Sequence, residues 1–439
     1  MDLPAALDWL AGHINLEARP SARAGDLRLE NIRRLLDLMG DPHRAYPVVH
    51  ITGTNGKGST ARITTALLAA AGLSVGTYTS PHLERVNERI AWAGLRGLNA
   101  VAEPIPDDAL AEALSAVAQL EVLLDERLTH FEILTAAALR WFADVAVDAA
   151  VVEVGLGGLH DATNVVDGQV AVVTNVSLDH ADTIGPGLAD IAATKAGIVK
   201  PGATLILGET DPALAAIFRR APAEAVWARG SDFGCASNKL AIGGRALDLF
   251  TPGAGYRSLF LPAHGPFQGD NAAAALAAAH AFFGKPMDPD VVDAGMYRVR
   301  IPGRLEVVGH GPLCVLDGAH NPAGARAAAA AVNEAFGTVQ GRVLVVGMLR
   351  GRDPVEMLEA LNVRSARLVV ACPPPSPRAL PSTDVVAAAV RLGVDARACD
   401  TVEEAVDLGL ADATTDELVL ITGSLYVVGA ARAWLVPSR

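Results

Sequence analysis

From Tyr46 onward the chain alternates short β-rich apolar runs with alanine-rich stretches of helical period, the pattern of a parallel α/β sheet. "YPVVHITG" predicts a strand ending at Gly53, and "STARITTALLAAAG" a helix stopped by Gly72. "DAAVVEVG" and "QVAVVTNVS" are near-continuous apolar strands, as expected where both faces of a sheet are covered. Ahead of them, "LENIRRLLDLMG" places Leu29, Ile32, Leu35, Leu36 and Met39 on one helical face, which predicts a helix docked on the core.

The pattern breaks once. After the helix "DNAAAALAAAHAFFG" comes "MYRVRIPGR", residues 296 to 304, and then a second strand–helix series: "LCVLDGAH", "GRVLVVGM", "ARLVVACPPP" and "ELVLITGSLYVVG". The Pro-rich "CPPPSPRALP" reads as a loop. The expected architecture is α/β: an N-terminal parallel-sheet domain over residues 1–296, a hinge linker over 297–303, and a smaller C-terminal Rossmann-like domain over 304–439. A length of 439 residues, beyond the usual limit of one core, agrees with two domains.

Composition removes several function classes. Hydrophobic residues make up 51% of the chain, yet no stretch is long and uncharged enough to read as a membrane span. The start, "MDLPAALDWLAGHINLEARP", lacks the basic residues and apolar run of a signal peptide, and Cys235, Cys314, Cys372 and Cys399 are scattered without metal spacing. A cytoplasmic protein with reduced thiols is expected. The net charge of −13 argues against a nucleic-acid partner. Anionic ligands would therefore need a site made locally positive by a few Lys, Arg and metal ions.

Such a site is suggested by "HITGTNGKGSTARI", residues 50 to 63. Gly53, Gly56 and Gly58 let backbone amides approach phosphate oxygens, the helix N-terminus adds partial positive charge, and Lys57 supplies a point charge. Gly58 stands where the common Walker pattern has Ser or Thr. An ordinary Gly-rich strand–helix turn is the competing reading. Glu153, Asp179 and His180 fall at or just past the ends of apolar strands, on the sheet edge where ligands bind. A carboxylate and a neutral imidazole there suit Mg²⁺ beside a triphosphate, although Glu153 could equally cap a helix and His180 bond within a loop.

These and further motifs resemble the Mur ligase superfamily, and within it the folylpolyglutamate synthase/dihydrofolate synthase family. They are "GTNGKGST", "TSPHLERVNERI" (79–90), "VVEVGLGG…DATNVV" (151–166), "LDH" (178–180), "KAGIVKPG" (195–202), "PGRLE" (302–306), "DGAHNPAG" (317–324) and "TGSLYVVGAAR" (422–432), in family order over nearly the whole chain. The resemblance makes the N-terminal unit a P-loop-type parallel-sheet ATPase domain, and implies an ATP-dependent ligase that phosphorylates a carboxylate and attaches L-glutamate through an acyl phosphate. It implies ATP and Mg²⁺, with a monovalent cation as a further candidate, small-molecule substrates and a monomer, and no nucleic-acid or membrane partner. Carried over by position, Asn55, Gly56, Lys57, Gly58 and Ser59 would cradle phosphates, and Asn271, Arg304 and Asp317 would complete the ATP site. Ser80, Glu153 and His180 would bind the metal, and Lys195 matches a lysine the family carries as a carbamate. His320 and Ser424 are candidates for the incoming glutamate. Acceptor contacts would fall at Arg28, Leu29 and Glu30, at Thr129, His130, Phe131 and Glu132, and at His160. Lys57, Lys195, His180, Arg304 and His320 are the expected catalytic group.

The chain departs from the family pattern at four places. Leu159 and His160 stand where Arg and an apolar residue are usual, Thr194 replaces Glu before the lysine, Phe267-Gln268 replaces His-Gln, and the N-terminal motif reads "RLEN". All but Phe267-Gln268 bear on the acceptor half and the lysine. Two other readings stay open: a Mur-type amide ligase for a non-folate carboxylate, and a catalytically silent nucleotide-binding regulator. A simple P-loop kinase would leave DGAHN unexplained. The run "HLERVNERI" also reads as a solvated charged helix.

Overall fold

A computed structural model describes residues 1–16, 28–94, 101–179 and 184–436. Its largest sheet has eight strands: β1 (Val48–Thr52), β2 (Val75–Tyr78), β3 (Ile90–Ala93), β4 (Glu103–Pro104), β5 (Ala149–Glu153), β6 (Gly168–Val173), β7 (Thr204–Leu207) and β8 (Ala225–Ala228). They lie in the order β4-β3-β2-β5-β1-β6-β7-β8. β1 is central and parallel to both neighbours, with Val49 opposite Val151 on β5 and Val170 on β6. All five of its residues are buried, which explains the unbroken apolar run and the absence of alternation.

The helices cover both faces. Lys57–Ala70, Phe267–Phe283 and Pro289–Tyr297 pack on one side; Leu3–Ala11, Glu30–Leu38, Asp107–Glu121 and His130–Asp144 pack on the other. The predicted docking helix spans Glu30–Leu38, with Ile32, Leu35 and Leu36 buried in the second of these layers. Gly72, at φ +96°, takes the left-handed conformation that ends Lys57–Ala70, as its position in the pattern suggested.

A three-stranded antiparallel sheet, β9 (Gly234–Ala241), β10 (Gly244–Thr251) and β11 (Ala254–Leu261), flanks the helix Phe267–Phe283. Past the turn at 301–305 a second sheet begins: β12 (Glu306–His310), β13 (Leu313–Leu316), β14 (Arg342–Val346), β15 (Leu368–Ala371), β16 (Asp395–Ala398) and β17 (Leu418–Thr422). Its order is β12-β13-β17-β14-β15-β16, parallel from β13 to β16, with a separate core on each face. Among the described residues no helix is long and apolar enough to cross a membrane.

The run after Pro81 is not a solvated helix. Val86–Arg89 forms one short 3-10 turn leading into β3, and Arg89 is 2% exposed with its Nε on His82 Nδ1 at 2.9 Å. The Glu88 carboxylate accepts the amides of Leu83, Glu84 and Arg85 at 2.8–3.0 Å and so shapes the loop. Arg85 alone keeps the exposed, surface-paired character that the charge pattern predicted.

Candidate active site

Topology decides where the polar residues go. The loop 53–56 follows β1, Ser80 follows β2, Glu153 ends β5 and Thr174–Asp179 follows β6, so four adjacent strands deliver them to one carboxyl edge. In the second sheet Asp317 follows β13, Ser424 follows β17 and Arg352 follows β14, at the equivalent edge. The two edges meet. Asn321 Nδ2 donates to Asn55 Oδ1 at 3.2 Å and to Asp179 Oδ2 at 3.0 Å, and Arg352 donates to Asp179 Oδ1 at 2.6 Å.

The phosphate-type loop is braced from β6. Thr174 Oγ1 and Asn175 Nδ2 donate to the Asn55 carbonyl at 2.7 and 2.9 Å, and the Asn55 amide donates to Asn175 Oδ1 at 3.0 Å. Gly56, at φ +86°, opens the helix that begins at Lys57. A Cβ on Gly56 would stand 2.4 Å from Asn271 Oδ1, so Asn271 closes over the loop and only glycine fits beneath it. Lys57 Nζ is held by the Thr54 carbonyl at 3.4 Å, a long contact that leaves its charge available, while Ser59 is buried in the first helical turn.

Glu153 is 4% exposed and accepts one hydrogen bond among the described residues, from the Ser80 amide at 3.1 Å. Burial raises its pKa; the charges of Lys57, Arg304 and Arg62 and the Ser80 amide pull the other way. A buried carboxylate with spare lone pairs beside a hydroxyl is a pair of hard oxygen donors, and these residues fit a divalent cation. His180, expected as a third ligand, lies outside the described residues. Among those that are described, no cluster of three His, Cys, Asp or Glu forms a metal site without it.

Lys195, on the helix Leu188–Ala196, is 4% exposed and its Nζ donates to the Gly53 carbonyl at 2.9 Å. Burial first, then the Lys57 charge, lowers its pKa to about 7, against the opposing pull of Asp179 and Asp161. A large neutral-amine fraction at neutral pH follows, and that is the form that reacts with CO₂. The DATN segment beneath it is a brace. Asp161 accepts the amides of Leu156 and Thr163, the Thr163 hydroxyl meets the buried His50 at 3.0 Å, and Asn164 holds the carbonyls of Leu159 and Gly197 at 2.9 and 3.2 Å.

On the second-domain side Asp317 is 4% exposed and accepts the amides of Leu305 and Ala319, each at 3.0 Å. Burial raises its pKa and Arg304 opposes the rise. His320 Nδ1 donates to the Gly318 carbonyl at 3.0 Å, which leaves Nε2 as the free lone pair, 3.8 Å from Asp179 Oδ2. Desolvation lowers its pKa, so the ring is neutral at pH 7. Ser424 is 1% exposed, and its hydroxyl caps the helix Leu425–Leu435 by accepting the Val427 amide at 3.2 Å.

The expected acceptor residues are less concentrated. Thr129 and Glu132 form a reciprocal capping box at the start of His130–Asp144, with Glu132 accepting the Thr129 amide and hydroxyl at 2.8 Å each. His130 is buried, and Phe131 stacks at a tilt on Tyr78. Leu29 belongs to the core layer, while Arg28 and Glu30 are exposed and His160 is half-buried. Leu159 is 44% exposed, with its amide on the Thr194 carbonyl at 2.8 Å.

Sequence reasoning missed Asn175, Asn321 and Arg352. Asn175 and Asn321 sit inside motifs already picked out, "TNVS" and "DGAHN", and Arg352 follows a strand end in "MLRGRD"; position alone could have flagged all three.

The comparisons with known proteins agree with this geometry. Residues 106–279 match the Mur ligase middle domain, and residues 303–425 match the Mur ligase, glutamate ligase domain. The chain is 37% identical to a dihydrofolate synthase/folylpolyglutamate synthase of Mycobacterium tuberculosis, over 93% of this chain and 90% of that protein. It is 35% identical to a folylpolyglutamate synthase of Lacticaseibacillus casei, over 95% and 96%. A structure of the Mycobacterium tuberculosis folylpolyglutamate synthase with ADP superposes with a TM-score of 0.91 at 35% identity, covering 99% of this chain and 98% of that one. A bifunctional folylpolyglutamate synthase/dihydrofolate synthase with Mn, AMPPNP and L-glutamate gives 0.83 at 29% identity, covering 99% and 98%.

Proposed function

The chain belongs to the folylpolyglutamate synthase/dihydrofolate synthase family of Mur ligases, and from that membership we propose that it joins L-glutamate to a folate-type carboxylate, dihydropteroate or a folylglutamate, at the expense of ATP. One observation supports this reading most. Asn321 of the glutamate-ligase domain is hydrogen-bonded to Asn55 of the phosphate-type loop, so two domains share one cleft. Nucleotide and amino acid can then meet across it.

In this mechanism the loop 53–59 cradles the triphosphate with its amides and Lys57. Asn271 closes over it, and Arg304 and Asp317 hold the far side of the nucleotide. Glu153 and Ser80, with His180, would hold a divalent cation, which we take to be Mg²⁺ and which would supply positive charge against the terminal phosphates. An acceptor carboxylate oxygen attacks the γ-phosphorus, the bond to the β–γ bridging oxygen breaks, and its electron pair leaves with ADP. Two anions have to be pressed together for this. At about 4 Å and an effective dielectric near 20 each pair of unit charges repels by about 4 kcal/mol, which Lys57 and Arg304 counter in an otherwise acidic chain.

The glutamate amine then attacks the acyl carbon, and phosphate leaves the tetrahedral intermediate. His320 Nε2, neutral and unoccupied by any short hydrogen bond, accepts the proton the amine loses, and Ser424 lies at the same edge for a glutamate carboxylate. Lys195, as a carbamate, would present two oxygens toward the cation instead of an ammonium of the wrong sign. We place the reaction in the cytoplasm, on a monomer, in keeping with four unpaired cysteines.

Phosphate release with ATP, Mg²⁺ and L-glutamate should require dihydropteroate or tetrahydrofolate. A muramyl-type acceptor should give only background. Preference for the muramyl acceptor would replace the folate reading with the other Mur-type ligase.

A further inference from the structure

Two of the motifs hold charged residues that the mechanism above does not use: Glu84 in "TSPHLERVNERI" and Arg432 in "TGSLYVVGAAR". They meet across the domain boundary. Arg432, on the helix Leu425–Leu435, donates from Nη1 to Glu84 Oε1, and its Nε lies 3.1 Å from each oxygen of Glu306. None of the three side chains is more than 24% exposed. Each stands near a residue assigned to the reaction. Glu84 lies four residues after Ser80, Glu306 two after Arg304, and Ser424 caps the helix that carries Arg432.

The backbone around this triad is shaped to bring the parts together. A Cβ on Gly429, one turn before Arg432, would stand 1.9 Å from the Leu83 carbonyl oxygen, so only glycine lets the loop seat on the helix. The Leu83 side chain packs against the core of the second domain. On the linker side, the Gly303 amide donates to Glu306 Oε2 at 2.8 Å, and the Gly303 carbonyl accepts the Gly318 amide at 2.8 Å. A Cβ on Gly318 would stand 2.8 Å from Arg304 Nη1, which places that guanidinium against the same turn.

We propose that Arg432 is a positioning residue for phosphoryl transfer. It locks the loop that follows Ser80 and the turn that carries Arg304 onto the helix capped by Ser424, so that groups from both domains reach the reacting phosphate in register. The inference rests on the ligase reading above and extends it. A largely buried ion triad adds little net stability over apolar side chains of similar size, because each charge gives up its hydration. What it adds is geometry, since a planar guanidinium shared by two carboxylates tolerates little displacement. Without the lock each ligand keeps its own contacts, but a misplacement of about 1 Å in such a site costs about 10² in rate.

The test is steady-state kinetics on the full-length enzyme with ATP, Mg²⁺, L-glutamate and either dihydropteroate or tetrahydrofolate, with calorimetric ADP titration to count competent sites. Arg432→Met should lower kcat per ADP-binding site by about tenfold or more. ADP affinity and the KM values for ATP and glutamate should stay within about threefold, and the ligand-free melting temperature should hold. Arg432→Lys, which keeps the charge and loses the fork, should fall between. Gly429→Ala pushes the loop off the helix without altering a charge and should lower kcat in the same way. If Arg432→Met does not fold, Glu84→Gln and Gly429→Ala carry the test, and full activity in both would overturn the proposal. So would a kcat per site within about twofold of wild type in Arg432→Met, or raised KM values at unchanged kcat. A loss of activity that only follows a lower melting temperature or fewer ADP sites would also overturn it. A wild-type enzyme that turns over neither acceptor would contradict the ligase reading itself, and the lock with it. A wild type active on both beside an equally active Arg432→Met would contradict the lock alone.

Discussion

The nucleotide half of the cleft and the proposed acceptor half differ in how much polar capacity they leave unspent. In the first, Lys57 makes one long contact, Glu153 accepts one amide, Arg304 has no hydrogen bond among the described residues, and Lys195 is buried on a single carbonyl. In the second, Thr129 and Glu132 satisfy each other, Leu29 packs in the core, and Arg28 and Glu30 face solvent. Buried charge without partners is costly in a folded chain, so it persists where a ligand completes it. By that measure the nucleotide half is built to bind, and the residues expected around the acceptor serve the fold first.

Substitutions can break that contrast or sharpen it. The largest effect should come from Lys57→Ala. Losing one charge-stabilising group of this kind lowers turnover by about 10²–10³, or ~2.7–4 kcal/mol, and the apo melting temperature should hold because the lysine makes so little internal contact. An apo protein that unfolds would make Lys57 structural and erase the contrast.

Lys195→Ala should lose turnover by about tenfold or more while largely keeping ATP affinity, with partial rescue by short added carboxylates. In the wild type, ¹³C-bicarbonate should give a carbamate carbon signal that the variant lacks. With its pKa lowered to about 7, the neutral amine fraction rises with pH, so the signal should grow from about pH 6 to about pH 8. Stability runs the same way. Between about pH 7 and 10.5 the unfolded chain binds the proton and the folded one does not, so unmodified protein gains stability as pH rises through that window. A fully active Lys195→Ala enzyme would contradict the assignment.

In the acceptor half the effects should be smaller and of another kind. Thr129→Ala removes a helix cap and should cost about 1 kcal/mol of stability, read as a lower melting temperature, with the acceptor KM nearly unchanged. A large KM change at constant stability would move Thr129 into the binding site. Leu159→Arg offers solvent a charged fork at an already exposed position and should shift the acceptor KM a few-fold while leaving that for ATP alone. Equal shifts in both would remove position 159 from acceptor recognition.

The same contrast explains what could be read from the chain. The strands 48–52, 149–153 and 168–173 were legible because their apolar runs are continuous, and the loop at 53–59 because a backbone that approaches phosphate needs glycine at fixed spacing. Glu153 was visible as a carboxylate ending such a strand. The antiparallel sheet 234–261 was not visible, since its strands mix polar and apolar residues without a clean alternation and the two outer ones are largely half-exposed or exposed. Asn321 and Asp179 were noticed as motif members, but their mutual hydrogen bond joins residues 142 positions apart, which no local pattern encodes.

The central claim is that a carboxylate is activated as an acyl phosphate in the cleft between the two domains. Its most direct test uses an acceptor labelled with ¹⁸O in the carboxylate, with unlabelled ATP, Mg²⁺ and L-glutamate, and mass analysis of the released phosphate. One ¹⁸O atom should appear in each phosphate formed from fully labelled acceptor, because the oxygen that attacked phosphorus leaves with it. Amide product accompanied by unlabelled phosphate would contradict the account.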